Sequence, residues 1–449
     1  MARTLRVDNW SRNVVTDPAA FARPTTVEEV RSILTDKENY PSPVRAFGHY
    51  HSTTRCAQAD GGTLVEMTRM NRVLEITDTH VRAEAGAIYL DVLRTLVARG
   101  LNFYVDLQVG NVTLGSMACC DSKDGSYPDI YGQFGAYLSH MKLVRPDGDV
   151  IDIDDSDPEL FAAARSSYGL FGIVVEVTFR IRRLEPISIR HRNYSTTEFI
   201  ERLPQFFERD GSMMMYLFPF AERVTVQLRG PGDPNRRRNR WLWPLRNFGV
   251  ADAVALYSRF LTLIPFASLR YALLRMFDAI ARFMLAAFLH AKNTRPSDQA
   301  TDYKHRPKLA YFNFSIFAFP EPDYPRILMA YQAFCRDHYR KYRYRPDLLT
   351  VGYRVKRCRY SLLSYSYDGN VMTIDPVGTG GPEWDRFLDE FNKFAARNGG
   401  IPLFNQSPRL RRDAVERVLG ERWAEFSRIR TTMDPDDRML NDYFRELLG

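Results

Sequence analysis

Two histidines, His49 and His51, stand on alternate residues in the stretch RAFGHYHSTTRC (45–56), directly after Gly48. Imidazoles there have three readings: metal ligands, an acid–base pair, or contacts to a bound group. Two alternating histidines with no nearby third ligand offer too few donors for a zinc site, so no metal is expected. Two other stretches share the glycine-bearing character, GNVTLGSMACCDSKDGS (110–126) and YGLFGIVVEV (168–177). Glycine admits positive φ and leaves the backbone N–H uncovered. Successive inward N–H groups form a concave anion site that suits a pyrophosphate. Each loop by itself also reads as an ordinary turn. Neither GxGxxG nor GxxxxGK[ST] occurs in its required setting, which argues against Rossmann and P-loop nucleotide binding.

Such loops need strands and helices to hold them. TTVEEVRSILTD has a capping threonine and helical spacing at Val27, Val30 and Ile33. SPVRAFG, GTLVEM and HVRAEAG read as short strands, and YLDVLRTLVARG as an amphipathic helix closed by Gly100. AYLSHMKLVRPDGDVIDI reads as a hairpin turning at 146–148. In GIVVEVTFRIRRL, Ile173, Val175, Val177 and Phe179 share one face of a long strand. Strands are expected again at 185–191, 213–229 and 313–320, two strands and a turn at 348–375, and helices at both ends of the tail. The pattern is α+β, with many strands and few long helices.

At 449 residues the chain exceeds one ordinary core, so two domains are expected. A hydrophobic content of 45% with 26% charged residues is that of a folded globular protein. Five scattered cysteines without a CxxC pair fit a reducing compartment. The opening residues show no secretory pattern, and a cytoplasmic location is expected. No run of 18 uncharged apolar residues occurs, so no spanning helix is expected. The net charge of +8 gathers at RRRNR (236–240), RDHYRKYRYR (336–345) and RLRR (409–412). No nucleic-acid module accompanies these clusters, and no nucleic-acid partner is expected. A solvated face or attraction to an anionic membrane is the preferred reading. Residues 241–290 are dense in Leu, Phe, Ala and Trp. Arg275, Asp278 and Arg282 share one helix face there, and Leu274, Phe277, Phe283, Met284 and Phe288 dominate elsewhere. Two readings stand: a core helix, or a surface helix dipping into a membrane interface with Trp241, Trp243 and RRRNR.

Taken in order, the loops resemble a known family. FARPTTVEEVRSIL is similar to a P-x-x-x-x-E-V helix, VRAFGHYHS to R-x-x-G-x-x-H-S, and GNVTLGSMA to a T-[IVL]-G-G loop. GLFGIVVEVTFRI is similar to G-x-x-G-I-[IV]-x-x-[AV]-T, and the tail DPDDRMLNDYFRELLG to D-P-x-x-x-[FL]-N-x-Y. This set resembles the FAD-binding oxidoreductases of the vanillyl-alcohol oxidase / p-cresol methylhydroxylase (PCMH) type. Within it, sugar-lactone and polyol oxidases and decaprenylphosphoryl-ribose oxidase stand nearest. The resemblance implies a PCMH-type FAD domain from 1–185 and 400–449. It implies an α+β substrate (cap) domain from 186–399, with the helical apolar insertion at 241–290. It places FAD against Arg45, Phe47, Gly48, His49, Tyr50, His51 and Ser52. It adds Gly110, Asn111, Thr113, Gly115, Ser116, Ala118 and Cys119 from the second loop. Gly169, Gly172, Ile173 and Val174 follow from the third, and Asn441 from the tail. His51 occupies the position at which many relatives attach the flavin 8α-methyl group covalently. Other relatives bind FAD reversibly, and His51 then reads as a loop histidine bonded to the pyrophosphate. Relatives with a second, cysteinyl link carry it earlier in the loop, so Cys119 and Cys120 read as packed loop residues.

The implied activity is oxidation of a CH–OH group by hydride transfer to flavin N5, with reoxidation by oxygen or another acceptor. The implied substrate is a small-molecule or lipid-linked alcohol, with peripheral membrane contact. Lys356 or Arg354 matches the lysine of the decaprenylphosphoryl-ribose branch, and Asn370 an asparagine of it. Tyr353 lies on the opposite strand face, and Tyr365 and Tyr367 share a face that is expected to line a pocket. Asn405 and Gln406 stand where relatives carry a catalytic Lys or His. They can bond a substrate hydroxyl but are poor bases. CCDSKDGS also replaces the His-Gly pair of lactone and polyol oxidases, and 313–320 lacks the Glu of polyol oxidases. The base is left open among Tyr353, Tyr365 and His305. Two alternatives stand beside oxidation: a sterol-type C=C reductase on the same fold, and a non-catalytic membrane-associated flavin binder.

Overall fold

The computed structural model describes residues 5–127, 129–209, 211–238, 241–303 and 311–449. His305 and part of the RRRNR cluster lie outside the described residues. After a two-stranded antiparallel ribbon of Val7–Asp8 and Val15–Thr16 comes a parallel three-stranded sheet, in the order Ala20–Ala22, Thr63–Glu66, Val44–Phe47. Helix Val27–Thr35 covers it. Its start is fixed by Thr26, whose hydroxyl accepts from the Glu29 N–H at 3.2 Å. Val30, Ile33 and Leu34 bury against Val44, Val65, Ile173 and Val175.

An antiparallel sheet follows, in the order Val150–Asp154, Leu138–Val144, Ile173–Arg183, His80–Glu84, Val73–Ile76. Leu101–Phe103 pairs with the far end of Ile173–Arg183. Ile173, Val175, Val177 and Phe179 are all buried, but not on one face as expected. A bulge between Val174 and Glu176 turns Ile173 and Val175 toward helix Val27–Thr35, and Val177 and Phe179 toward the other side of the sheet. The third sheet has eight strands, all paired antiparallel. It runs Ala291–Thr294, Ile187–Ser195, Arg223–Pro231, Ser212–Phe218, Thr350–Val355, Val371–Ile374, Phe317–Pro320, Ile401–Pro402. Helices Tyr324–Tyr342 and Pro382–Arg397 pack on it through Tyr331, Phe387, Phe391 and Phe394. Both are long, contrary to the sequence expectation. Their aromatic stripes bury as helices against the sheet, which the strand-rich flanking sequence conceals.

The apolar segment folds as Leu242–Phe248, a π-helical turn Gly249–Ala253, Val254–Leu261 and Ala267–Phe288. It is not a core helix: of the 22 residues in Ala267–Phe288 only Tyr271 and Leu274 are buried. Trp241 is exposed as expected of an interfacial residue, but Trp243 is buried against Ile187, Ile189 and Leu242. No helix among the described residues is long and apolar enough to cross a membrane.

One guanidinium ties these parts together. Arg45 donates to the carbonyls of Cys56 (2.7 Å), Tyr168 (2.5 Å), Gly169 (3.2 Å) and Met439 (2.7 Å). It is fully buried, and burial lowers its pKa. Arg45→Met leaves four carbonyls without donors and is expected to cost about 3–5 kcal/mol, read from urea unfolding. A second buried group gives a pH signature. Asp106 takes one hydrogen bond from Asn102 (3.0 Å), and burial raises its pKa from 3.8 to about 6. The folded state therefore holds this proton more tightly than the unfolded state. That stabilisation is complete below pH 3.8 and is lost as pH rises through about 6. Asp106→Asn is expected to match the wild type in acid and to exceed it by about 2–3 kcal/mol at neutral pH, measured by unfolding at both.

Candidate functional site

A cavity of about 370 Å³ lies between the first two sheets and the third. Three loops supply one end. The first follows strand Val44–Phe47, and Phe47, Gly48, His49, Tyr50, His51 and Ser52 all line the cavity. Tyr50 adopts φ 51°, and its carbonyl turns away to accept from the Trp10 N–H at 2.8 Å. The N–H groups of His49, Tyr50 and Ser52 donate to no protein acceptor among the described residues. The second loop leads into helix Leu114–Cys119 and places Thr113, Gly115, Ser116 and Cys119 on the wall. The Thr113 and Ser116 hydroxyls share a hydrogen bond of 2.9 Å. The two loops touch. A Cβ on Gly48 would lie 2.4 Å from Thr113 Oγ1, and His49 Nδ1 is 2.6 Å from the Asn111 carbonyl.

The third loop brings Gly169, Gly172 and Val174 to the same cavity. Gly172 adopts φ 143°, and a Cβ there would strike the Val144 carbonyl at 2.2 Å. Asp121 fastens the second loop to the third and to the third sheet's connections. It accepts from Ser166 Oγ (2.8 Å), Tyr168 OH (2.5 Å) and Tyr360 OH (2.9 Å). Burial raises its pKa. His51 lies with its ring centroid 5.5 Å from that of Trp10, tilted 34°.

The other expected cofactor residues lie behind the wall. Arg45 spends its guanidinium on carbonyls, and Ala118 and Ile173 are core residues. Gly110 packs against the Thr301 carbonyl. Asn111 exchanges side-chain hydrogen bonds with the Tyr303 main chain at 2.7 and 3.1 Å. Asn441 caps the last helix, accepting from the Phe444 N–H at 3.2 Å. Its amide donates to the carbonyls of Arg55 (2.9 Å) and Gln58 (2.8 Å). Cys119 and Cys120 both contribute to the cavity wall, and Cys119 Sγ lies 3.1 Å from the Gly115 carbonyl.

Polar side chains from the third sheet and from 405–406 complete the lining. Tyr353, Asn405 and Gln406 are there, as the sequence suggests. Arg354 and Lys356 are not. Strand alternation turns Arg354 to the other face, where it pairs with Glu321 at 2.6 Å and lies over the Phe207 ring. Lys356 is on that same face, outside the lining. Tyr365 is buried behind the wall, donating to the Ser122 carbonyl at 3.0 Å, and Tyr367 packs under Arg359 and Arg422. Asn370 bonds Glu321 at 3.3 Å.

One cation of the cavity lining, Lys123, was missed by the sequence reading. Its Nζ pairs with Asp375, lies 3.2 Å from Thr373 Oγ1 and stands 4.5 Å from the Tyr353 ring centre. The two ionic side chains are 7% and 5% exposed. Burial lowers the Lys123 pKa and raises that of Asp375, and each charge counters the shift in the other. Asp375 Oδ1 and Asn405 Oδ1 are buried and accept from no donor among the described residues. The available signal was the segment CCDSKDGS, whose lysine stands in place of the family's His-Gly pair. Its partner is 252 residues away, beyond any local pattern.

Comparison with known proteins agrees with this geometry. A FAD binding domain profile matches residues 18–154. The chain is similar to an L-gulono-1,4-lactone dehydrogenase of Mycobacterium tuberculosis, 24% identical over 98% of both chains. It is 23% identical to an L-gulonolactone oxidase of Scyliorhinus torazame, over 98% of this chain and 97% of the relative. Among solved structures, cholesterol oxidase from B. sterolicum superposes with a TM-score of 0.75 at 12% identity, covering 100% and 97% of the two chains. The fold is that of the PCMH-type flavoproteins, and the cavity fits FAD. The N–H groups of His49, Tyr50 and Ser52 with the hydroxyls of Thr113 and Ser116 suit a diphosphate, and Met67, Ala85 and Val174 form an apolar slot for rings. The D-arabinono-1,4-lactone oxidase profile matches residues 177–447, well over half of the chain. This protein therefore belongs to the D-arabinono-1,4-lactone oxidase family, FAD-dependent oxidoreductases of CH–OH donors.

Proposed function

We propose that the protein oxidises a secondary or primary alcohol of a polyhydroxylated small molecule, of the aldonolactone kind named in its relatives, or of a lipid-linked alcohol. The Lys123–Asp375 pair carries this reading, because it stands in the same cavity as the three glycine-bearing loops. Residues 1–185 and 400–449 hold FAD, and 186–399 cover the substrate. His49, Tyr50, Ser52, Thr113 and Ser116 hold the diphosphate, and bound FAD supplies the two-electron acceptor for the hydride. The protein must orient the alcohol and take its hydroxyl proton. Asp375 Oδ1 and Asn405 Oδ1 are unspent acceptors suited to substrate hydroxyls. Gln406 adds a donor amide. The pair holds one proton between Lys123 Nζ and Asp375 Oδ2. Burial raises the proton affinity of Asp375, so its carboxylate is the member of the pair that takes the substrate hydroxyl proton while Lys123 holds the other. Oxygen or another acceptor then takes the electrons.

His51 is the site at which this reading places a covalent flavin link. The outer faces of the 241–290 helices are a peripheral membrane contact in the same reading.

Anaerobic mixing with L-gulono-1,4-lactone, D-arabinono-1,4-lactone and simple polyols, followed by flavin absorbance, tests the activity. At least one is expected to bleach the flavin. Lys123→Met and Asp375→Asn are each expected to slow bleaching by about 10²–10⁴-fold with unchanged flavin content. Wild-type bleaching is expected to speed up as pH rises and the pair sheds its second proton. Acid precipitation tests the link separately. Yellow colour is expected to stay with the wild-type pellet and to move to the supernatant in His51→Ala.

A further inference from the structure

We propose that the helices of 241–288 seat the protein on an anionic lipid bilayer and that the alcohol substrate enters the cavity from that side. The first observation is an inverted helix. In Ala267–Phe288 the acidic Asp278 turns inward, accepting from the nearly buried Arg345 at 3.0 Å. Outward stand Met276, Ile280, Phe283, Met284 and Phe288, each about half exposed or more. A helix in water buries the opposite face.

The face is also extensive. Of the 18 exposed large hydrophobic residues found among the described residues, 13 lie between 241 and 288. A patch so concentrated marks an interaction surface rather than ordinary scatter. Charge selects the partner. Residues 236–290 carry nine arginines, two aspartates, and neither lysine nor glutamate. That is a charge of +7 in a chain whose total is +8. Arg236 and Arg238 pair with Asp233 and Asp298, and Arg246 faces the cavity. Among the described residues this leaves Arg237, Arg259, Arg270, Arg275 and Arg282 for the surface charge. One of the two aspartates is spent on Arg345. An apolar face within a basic frame matches a bilayer with anionic headgroups. A second copy of the chain fits poorly, since a self-contact would bring two such segments together.

The third observation joins surface to site. Arg246, Val250, Val254 and Ala255 line the cavity. They lie on the same short helices whose other faces expose Leu245, Phe248, Leu256 and Phe260. One helix, about 10 Å thick, separates cavity from apolar surface. The entry half of the inference rests on the alcohol-oxidation reading, and the docking half does not.

The test uses the full-length holoprotein and vesicles of phosphatidylcholine, alone or equimolar with phosphatidylglycerol. The probe variant Phe260→Ser/Leu263→Ser/Phe283→Ser changes exposed residues outside the cavity lining. Wild type is expected to sediment with the anionic vesicles, to be released by high salt, and to bind at least tenfold more tightly than the variant. Flavin content and bleaching by a water-soluble alcohol are expected to be equal in both. Hexadecanol carried in the anionic vesicles is expected to bleach the wild type at least tenfold faster than the variant. No sedimentation, equal sedimentation of the variant, or a dimer lost in the variant without vesicle binding would overturn docking. Binding without faster bleaching by hexadecanol would overturn entry from the bilayer. Failure of every alcohol to bleach the flavin, with vesicle binding intact, would sink the oxidation reading and the entry half with it, and leave docking standing.

Discussion

The position of Arg45 constrains everything around it. A guanidinium buried this completely usually faces a carboxylate, but here it faces four carbonyl oxygens from three parts of the chain. Burial pushes its proton affinity down, and the carbonyl dipoles must hold the charge. The consequence is geometric. The strand before the first loop, the third loop and the tail meet at one planar fork whose donors have fixed directions. The loop histidines and Gly169 can then face one cavity only in one arrangement. A lysine would carry the same charge but not the same directions.

The tail repeats this device. Arg438 donates to the carbonyls of Leu34 (3.0 Å) and Ile33 (2.9 Å) at the end of helix Val27–Thr35. Asp434 accepts from the Arg438 and Met439 N–H groups at 2.8 Å each, and Asn441 ties down 55–58. The motif DPDDRMLNDY is thus a clamp that closes the flavin-binding region from outside. On the inner side the loop 121–126 is pinned twice. Asp124 forms a doubly bonded, buried ion pair with Arg229 (2.5 and 2.6 Å), and Ser212 Oγ bonds the Gly125 carbonyl at 2.8 Å. Lys123 directly precedes these anchors. Its place opposite Asp375 follows from the sheet that holds both Arg229 and the strand leading to Asp375.

These contacts explain what could be read beforehand. The PCMH-type α+β fold, the FAD cofactor and the CH–OH chemistry follow from motifs whose residues act locally. Gly48 and Gly172 are required by close approach to Thr113 and Val144, so they mark their loops in any sequence. Arg45 and Asn441 were recognised as motif positions, but their partners are carbonyls, which leave no trace in side-chain spacing. Lys356 and Arg354 were chosen by strand position alone. Two alternate residues cannot face the cavity when Tyr353, between Arg354 and Gly352, does. Lys123 and Asp375 were hidden because their pairing depends on two sheets meeting. Trp243 was grouped with Trp241 by proximity, and helical rotation sends one inward and the other outward.

The proposed function also implies that one reaction tolerates a change of residue. The resemblance places a lysine or histidine where this chain has Asn405 and Gln406, and a His-Gly pair where it has CCDSKDGS. An amide cannot take a hydroxyl proton, but it can fix the hydroxyl that gives it up. In the proposed reaction that amide is Asn405, whose Nδ2 donates to the Asp121 carbonyl at 3.2 Å while its Oδ1 accepts from no donor among the described residues. In the proposed reaction the proton-holding role falls to a pair drawn from the loop and from the end of strand Val371–Ile374. A lone buried lysine or a lone buried aspartate would each pay a desolvation penalty, whereas together they carry no net charge. Such a pair keeps a dry cavity neutral before the alcohol arrives, and gives its proton one short path between Nζ and Oδ2.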